Sequence, residues 1–555
     1  MFGPGSKFMR WRQPKKPDPE IGLENKLERL EHIKISLRLQ INTERLQQAL
    51  GKSDDLVIRH FCIGGHTDYA AALIYIDGMT NTAVTDEFIL KAAMLDIRSH
   101  DLEDSVSSEQ MHRRLQQFGL PVNEVDQADN LKKVVRSVLS GDTAMLIDYN
   151  DKALLLNTKG WEKRGVEEPR TESVVRGPRN GFTETLRINT AQIRLRIKDP
   201  DLIVKNMTVG KRSNTDVAVI YLDGVANEQI VQTVVKRIQA IDIDAAMESG
   251  YIEQFIEDNH WTPFPLIQNT ERPDKATANI LEGKIAIICD GSPFCLIAPA
   301  VFSQFYHSPE DYYERFLIGT LIRLIRVVSM GMALMLPSLY IAFSSFHPEM
   351  IPSRLVIAMA AGRSTVPFPS IVEAFLMEVT MEILREASVR LPGPIGPTIG
   401  IVGALVVGQA AVQAGIVSPI MVIVVALTTI GSFAAPSYSA AIALRMLRFP
   451  LMIAAALFGL YGIMLFLILI IIHLCSLKSF GVPYMAPIAP SRVNDMKDTA
   501  IRVPLHWMKK RPSIFRPRDP VRYGETNTTE GKANESTPGS DTGADASGHG
   551  ERRNE

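Results

Sequence analysis

Asp55-Leu-Val-Ile-Arg, running on to Ala72-Leu-Ile-Tyr-Ile-Asp77-Gly78, recurs 146 residues later as Asp201-Leu-Ile-Val-Lys, running on to Ala218-Val-Ile-Tyr-Leu-Asp223-Gly224. Gly64 falls on Gly210 and Tyr75 on Tyr221 with no gap. A second match, at an offset of 142, sets Leu139-Ser-Gly141 through Ile147-Asp148 against Leu281-Glu-Gly283 through Cys289-Asp290. Internal repetition on this scale is the mark of a duplicated supersecondary unit. The apolar, β-rich runs halted by Asp-Gly predict buried strands, and Asn227-Glu-Gln-Ile-Val-Gln-Thr-Val-Val-Lys-Arg-Ile after one of them has helical periodicity. Two related αβ units, roughly 50–160 and 195–300, are therefore expected, of α/β or α+β class. Asp77, Asp223, Asp148 and Asp290 stand at strand ends beside turn formers, which favours turn chemistry over catalysis.

Outward from the repeat, charge is unevenly spread. The 555 residues are 46% hydrophobic and 22% charged, with 60 Lys+Arg against 61 Asp+Glu. That balance argues against a basic face for nucleic acid. Yet no Asp, Glu, Lys, Arg or His occurs from Leu391 to Leu444, or again from Phe449 to Ile472. A bilayer-crossing helix needs ~20 mostly apolar residues. Spans are expected near 327–346, 395–415, 417–435 and 449–472, four at least. Arg315, Arg323 and Arg326 before the first suit a cytoplasmic side. The N-terminal stretch is basic but lacks an apolar core, so it is not a signal peptide, and a cytoplasmic soluble domain follows. The expected organisation is a polar segment 1–49, first unit 50–165, linker helix and second unit 166–310, transmembrane domain 311–480, juxtamembrane segment 481–503 and disordered polar tail 504–555.

No enzyme signature is present: no GxxxxGK[ST], GxSxG, HExxH or strand-borne GxGxxG. Neither a catalytic set, a cofactor site nor a metal site is expected. Four cysteines, Cys62, Cys289, Cys295 and Cys475, are too few for a disulfide scaffold and read as reduced, buried small hydrophobes. His60 and His66 are placed in a loop.

Two stretches carry candidate function. In Pro369-Ser-Ile-Val-Glu373 through Glu386, Glu378, Glu382, Arg385 and Glu386 share one helical face, with Glu373 nearly opposite. Three readings stay open: a pore or gate stripe, an interfacial helix with its acids in water, or intersubunit salt bridges. Between the repeats, Gly-Pro and Asn-Gly steps precede an amphipathic helix bearing Arg187, Arg194 and Arg196. These are candidates for anion binding or intersubunit pairing, or simply a solvated face.

The stretch Val175-Arg-Gly-Pro-Arg-Asn-Gly-Phe-Thr-Glu-Thr-Leu resembles the A-subunit family of bacterial spore germinant receptors, the GerA family. Leu281-Glu-Gly-Lys-Ile-Ala-Ile-Ile-Cys-Asp-Gly-Ser-Pro, the run from Phe305 to Phe316, Leu391-Pro-Gly-Pro-Ile-Gly-Pro-Thr-Ile-Gly and Ala435-Pro-Ser-Tyr agree with it, over about residues 50 to 500. The resemblance implies a multi-pass protein of the spore inner membrane acting with a transporter-like B subunit and a lipoprotein C subunit. It further implies a homo-oligomeric, ligand-gated cation channel opened when the partner binds nutrient; a non-conducting scaffold is the alternative.

Overall fold

The computed structural model describes residues 27, 29–65, 69–95, 108–115, 122, 124–160, 168–169, 171–390, 403 and 406–522. The expectations for His66, for residues 395–402, 404 and 405 of the span 395–415 and for the tail beyond 522 lie outside these residues.

The first half holds two five-stranded sheets. Helix α1 (Leu39–Leu50) leads into β1 (Leu56–Cys62) and β2 (Ala70–Ile76); β3 (Val125–Ala128) and α2 (Leu131–Val138) precede the hairpin β4 (Thr143–Ile147) and β5 (Ala153–Leu156). The second unit repeats this with α3 (Leu186–Arg196), β6 (Leu202–Val209), β7 (Thr215–Leu222), α4 (Glu228–Gln239), α5 (Ser249–Ile256), β8 (Gln268–Thr270), α6 (Pro273–Leu281), β9 (Ile285–Cys289) and β10 (Cys295–Ala298). The sheet orders are β1-β2-β4-β5-β3 and β6-β7-β9-β10-β8, the same order twice. Even the register corresponds. Leu56 pairs with Ile76 as Leu202 does with Leu222, and Ala72 with Leu146 as Ala218 does with Ile288.

Every strand pair is antiparallel, which places the units in the α+β class. Their strands still read as continuous apolar runs because helices cover both faces. Along β7, Val217 and Val219 pack under α4 and α5, while Ala218, Ile220 and Leu222 pack under α3 and α6. The period of two is masked because both sides are core.

The described residues before 50, 27 and 29–49, belong to the first unit. Leu39, Leu46 and Leu50 of α1 sit in its core with Ile74 and Val134. The signal for this was present: Ser36-Leu-Arg-Leu-Gln-Ile-Asn42-Thr43 parallels Thr183-Glu-Thr-Leu-Arg-Ile-Asn189-Thr190. Both asparagines do the same work. Asn42 accepts from the Ser36 N–H and donates to its carbonyl, and Asn189 does so with Thr183. Each helix start is then capped by a repeat-related acid, Leu39 N–H donating to Asp148 at 2.8 Å and Leu186 N–H to Asp290 at 2.9 Å. Those two acids act as distant helix caps, beyond the turn role expected of them. His60 lies in β1, not in a loop. Cys289 and Cys295 are buried, and burial pushes both thiols up to about 12, but Cys62 is half-buried and Cys475 exposed.

The second half is helical: α7 (Phe316–Ser345), α8 (Ser353–Arg363), α9 (Ser370–Arg390), α10 (Pro419–Phe433) and α11 (Tyr438–Ser476). Among the described residues, α7 and α11 are long and apolar enough to cross a membrane, while α10 is a shorter apolar helix. The expected span 449–472 is not one straight segment. Gly459 breaks α11 with φ 59° and ψ −139°, and a Cβ on Gly462 would run into the Ala454 carbonyl. Ala440 and Ala443 from one arm and Leu474 from the other pack in a single cluster with Phe264, Phe305 and Tyr484. In a straight helix, Ala440 and Leu474 would stand ~50 Å apart. α11 is therefore a helical hairpin with its tip at Gly459, against Phe346 and His347 at the end of α7.

Residues 504–522, expected to share the disorder of the tail, are packed on the second unit. Ile514 and Phe515 enter its core, and Arg518 N–H donates to the Val225 carbonyl.

Candidate functional site

Of the three arginines between the repeats, Arg194 is buried, while Arg187 and Arg196 are half-buried. Helix α3 is wedged between the units, with Ala191 and Leu195 in the first core and Leu186 and Ile193 in the second. It is buried nearly all round, so an amphipathic reading does not hold. Arg194 forks onto Asp55 and reaches Ser53 at 2.7 Å. Arg187 pairs with Asp77 at 3.3 Å, and Arg196 donates to the Gln192 carbonyl at 2.7 Å. Reciprocally, Lys52 of the first unit meets Asp223 of the second at 2.7 Å. Asp77 and Asp223 thus bind across the joint in a pseudo-symmetric pair. Arg194 is closed to any ion or neighbouring chain, and its partners are its own.

At the junction with α7, buried Asp311 gathers Arg323 at 3.0 Å and Arg326 at 3.2 Å. Arg323 also reaches Asp498 at 2.9 Å, and Tyr312 Oη donates to the same carboxylate at 2.5 Å. Arg502 donates to the backbone carbonyls of Asp311 and Glu314. Arg323 and Arg326, expected on the cytoplasmic side, tie the stretch after β10, the first turns of α7 and the segment 498–502 into one knot. Their burial follows from this pairing; unpaired, each charge would be prohibitive there.

Helix α9 carries the acidic stripe. Glu373 and Glu378 are buried, whereas Val372, Leu376, Val379 and Ile383 face outward. An interfacial helix with all its acids in water does not fit Glu373 and Glu378, which turn into the bundle, whereas Glu382 is half-buried and Glu386 exposed. Glu378 pairs with Arg448 and Glu382 with Arg445, each at 2.5 Å, both arginines lying on the first arm of α11. Glu373 accepts from the Ser418 N–H at 2.5 Å and lies 3.8 Å from Arg363. Arg385, on the same helical face in the sequence, donates to Ser432 Oγ at 2.8 Å and stacks over Phe433. Glu378 is thus enclosed by its own chain, while the Glu382 side chain remains 41% exposed. Arg445 and Arg448 are thus internal partners of carboxylates. The pairing is incomplete: Glu378 Oε1, Arg448 Nη2 and Arg363 Nε are buried with no hydrogen-bond partner.

The model of the family described as Bacillus/Clostridium GerA spore germination protein matches residues 44–514. The chain belongs to the GerA family. It is 45% identical to spore germination protein KA of Bacillus subtilis (strain 168), covering 89% of this chain and 90% of that one. With spore germination protein GerLA of Bacillus cereus the identity is 41%, over 86% and 95% of the two chains. An uncharacterized membrane protein of Bacillus subtilis (strain 168), YfkQ, is 43% identical over 90% and 96%. A crystal structure of the N-terminal domain of the A subunit of the Bacillus megaterium spore germinant receptor GerK3 is 38% identical. It covers 48% of this chain and 97% of that one, with a TM-score of 0.38. KA, GerLA and the similar spore germination protein B1 of Bacillus subtilis (strain 168) are named as spore germination proteins, not as enzymes.

Proposed function

We propose that this GerA-family chain is a multi-pass membrane subunit of a germinant receptor, with its αβ units in the cytoplasm. It acts with a transporter-like B subunit that binds nutrient and with a lipoprotein C subunit. Several copies assemble into a ligand-gated cation channel, and α9 with its ion pairs to α11 is the gating element. The observation that carries this reading is the half-satisfied Glu378–Arg448 pair inside an apolar bundle. A buried charge pair with orphaned polar atoms costs stability relative to apolar packing, and ionisable groups at such depth are functional candidates. The half-exposed Glu382 is where a carboxylate ring would face cations.

The test is cation release on nutrient addition from the assembled receptor. Glu382→Gln, and Glu378→Gln combined with Arg448→Gln to keep the site neutral, should assemble but change the rate or selectivity of release. A second reading, a non-conducting signalling subunit, has its own support, since Glu373, Glu378 and Glu382 each have an arginine neighbour. Unchanged release from well-assembled variants would favour it.

A further inference from the structure

Trp261 is 96% exposed, an unusual state for the largest apolar side chain. Its neighbour Thr262 shares a 2.9 Å hydrogen bond with His473 Nε2, and Phe264 packs against the His473 ring at 6.3 Å. His473 lies in the last turn of α11, just where the outward apolar run of Tyr461, Leu465, Ile468, Leu469 and Ile472 ends. The other end of the bundle on this side is dressed likewise. Ile501, Leu505 and Trp507 are all more than half exposed. They are fastened to the first turn of α7 by Thr320 Oγ1 donating to the Arg502 carbonyl at 3.1 Å. Exposed lysines follow each site, Lys478 after the end of α11 and Lys509 and Lys510 after Trp507.

We propose that Trp261 and the turn Ile501–Trp507 are interfacial anchors that lie in the headgroup zone of the bilayer, on the side of the αβ units. The proposal rests on the membrane reading of α7 and α11. The occupant is lipid because both sites continue the outward apolar surfaces of those helices at the points where they end. An indole ring suits that zone, its apolar body meeting acyl carbons and its N–H meeting water or phosphate. The flanking lysines would meet lipid phosphates. Anchors at the start of α7 and the end of α11 would hold the αβ units at a set height and tilt over the membrane.

The test uses the full chain in vesicles of phosphatidylcholine and phosphatidylglycerol, with single-tryptophan variants retaining Trp261 or Trp507 and the other three indoles replaced by Phe. A third variant carries Leu469→Trp as its single indole. Lipids brominated close to the headgroup should quench Trp261 and Trp507 roughly twofold more than lipids brominated near the chain ends. Leu469→Trp should show the opposite preference. Should Leu469→Trp resist both lipids, the membrane reading of α11 falls, and the anchors with it. Should it be quenched while Trp261 and Trp507 are reached only by aqueous acrylamide, the anchors alone are overturned. Protection from both acrylamide and brominated lipid would also overturn them, in favour of a covering protein surface.

Discussion

Arg194 of the second αβ unit donates through Nε and Nη2 to both carboxylate oxygens of Asp55 in the first, each at 2.8 Å, and both side chains are almost closed to solvent. The same guanidinium holds Ser53, whose hydroxyl oxygen accepts from the Val204 N–H at 2.8 Å. One buried fork therefore fixes how the two repeats meet. Arg194→Ala should cost about 3–5 kcal/mol by stranding a buried carboxylate, whereas Arg194→Met with Asp55→Leu should cost markedly less. Thermal unfolding of the purified chain reads both. Equal losses would show that packing of α3, and not the ion pair, holds the joint.

Lys284 gives the αβ region a pH dependence. Burial lowers its ammonium from the ordinary 10.5 to about 7, with Nζ over the Phe515 ring at 4.5 Å. Between about pH 7 and 10.5 the unfolded chain holds a proton there that the folded chain has released. Stability therefore rises with pH across that window, by at most about 1.4 kcal/mol per pH unit from this group. Lys284→Met should remove that rise and be the more stable protein near pH 7. A denaturant midpoint measured from pH 7 to 10 checks it, and an unchanged slope would dismiss Lys284 as its source.

Phe515 tests whether the C-terminal segment belongs to the fold. It is fully buried in the second unit's core, so Phe515→Ala should cost about 3 kcal/mol. Deleting residues 523–555 should leave membrane insertion and assembly intact, while deleting from 504 should not. Equal behaviour of the two truncations would contradict the packed segment.

The hairpin at Gly459 makes a geometric prediction. Cysteines at Ala443 and Leu474, in a background lacking Cys475, should be joined by a short bifunctional reagent. In a continuous helix they would lie ~46 Å apart and could not be. Gly459→Ala should lower stability by more than about 1 kcal/mol, because φ is positive there and a Cβ would press on Phe346 and His347.

What the sequence determined by itself is what chain-local physics encodes. Apolar runs stopped by Asp-Gly are strands wherever they occur, and their recurrence at a constant offset needs no structure to be seen. A stretch without charge long enough to cross a bilayer announces itself in the same way, as does family membership carried on long contiguous motifs. The repeat's first helix was legible too, in the paired Ile-Asn-Thr stretches at 41–43 and 188–190, though its divergent flanks hid the match. Tertiary structure alone decided the partners. Nothing near Glu378 names Arg448, seventy residues away, over the nearby Arg385, since a helical face fixes direction but not what stands opposite. Arg194 likewise reads as surface until a second sheet closes over it. Hydropathy cannot tell one long helix from two antiparallel arms, because both bury the same residues from water. The reversal rests on a single glycine that can take φ 59° where its apolar neighbours cannot do so cheaply.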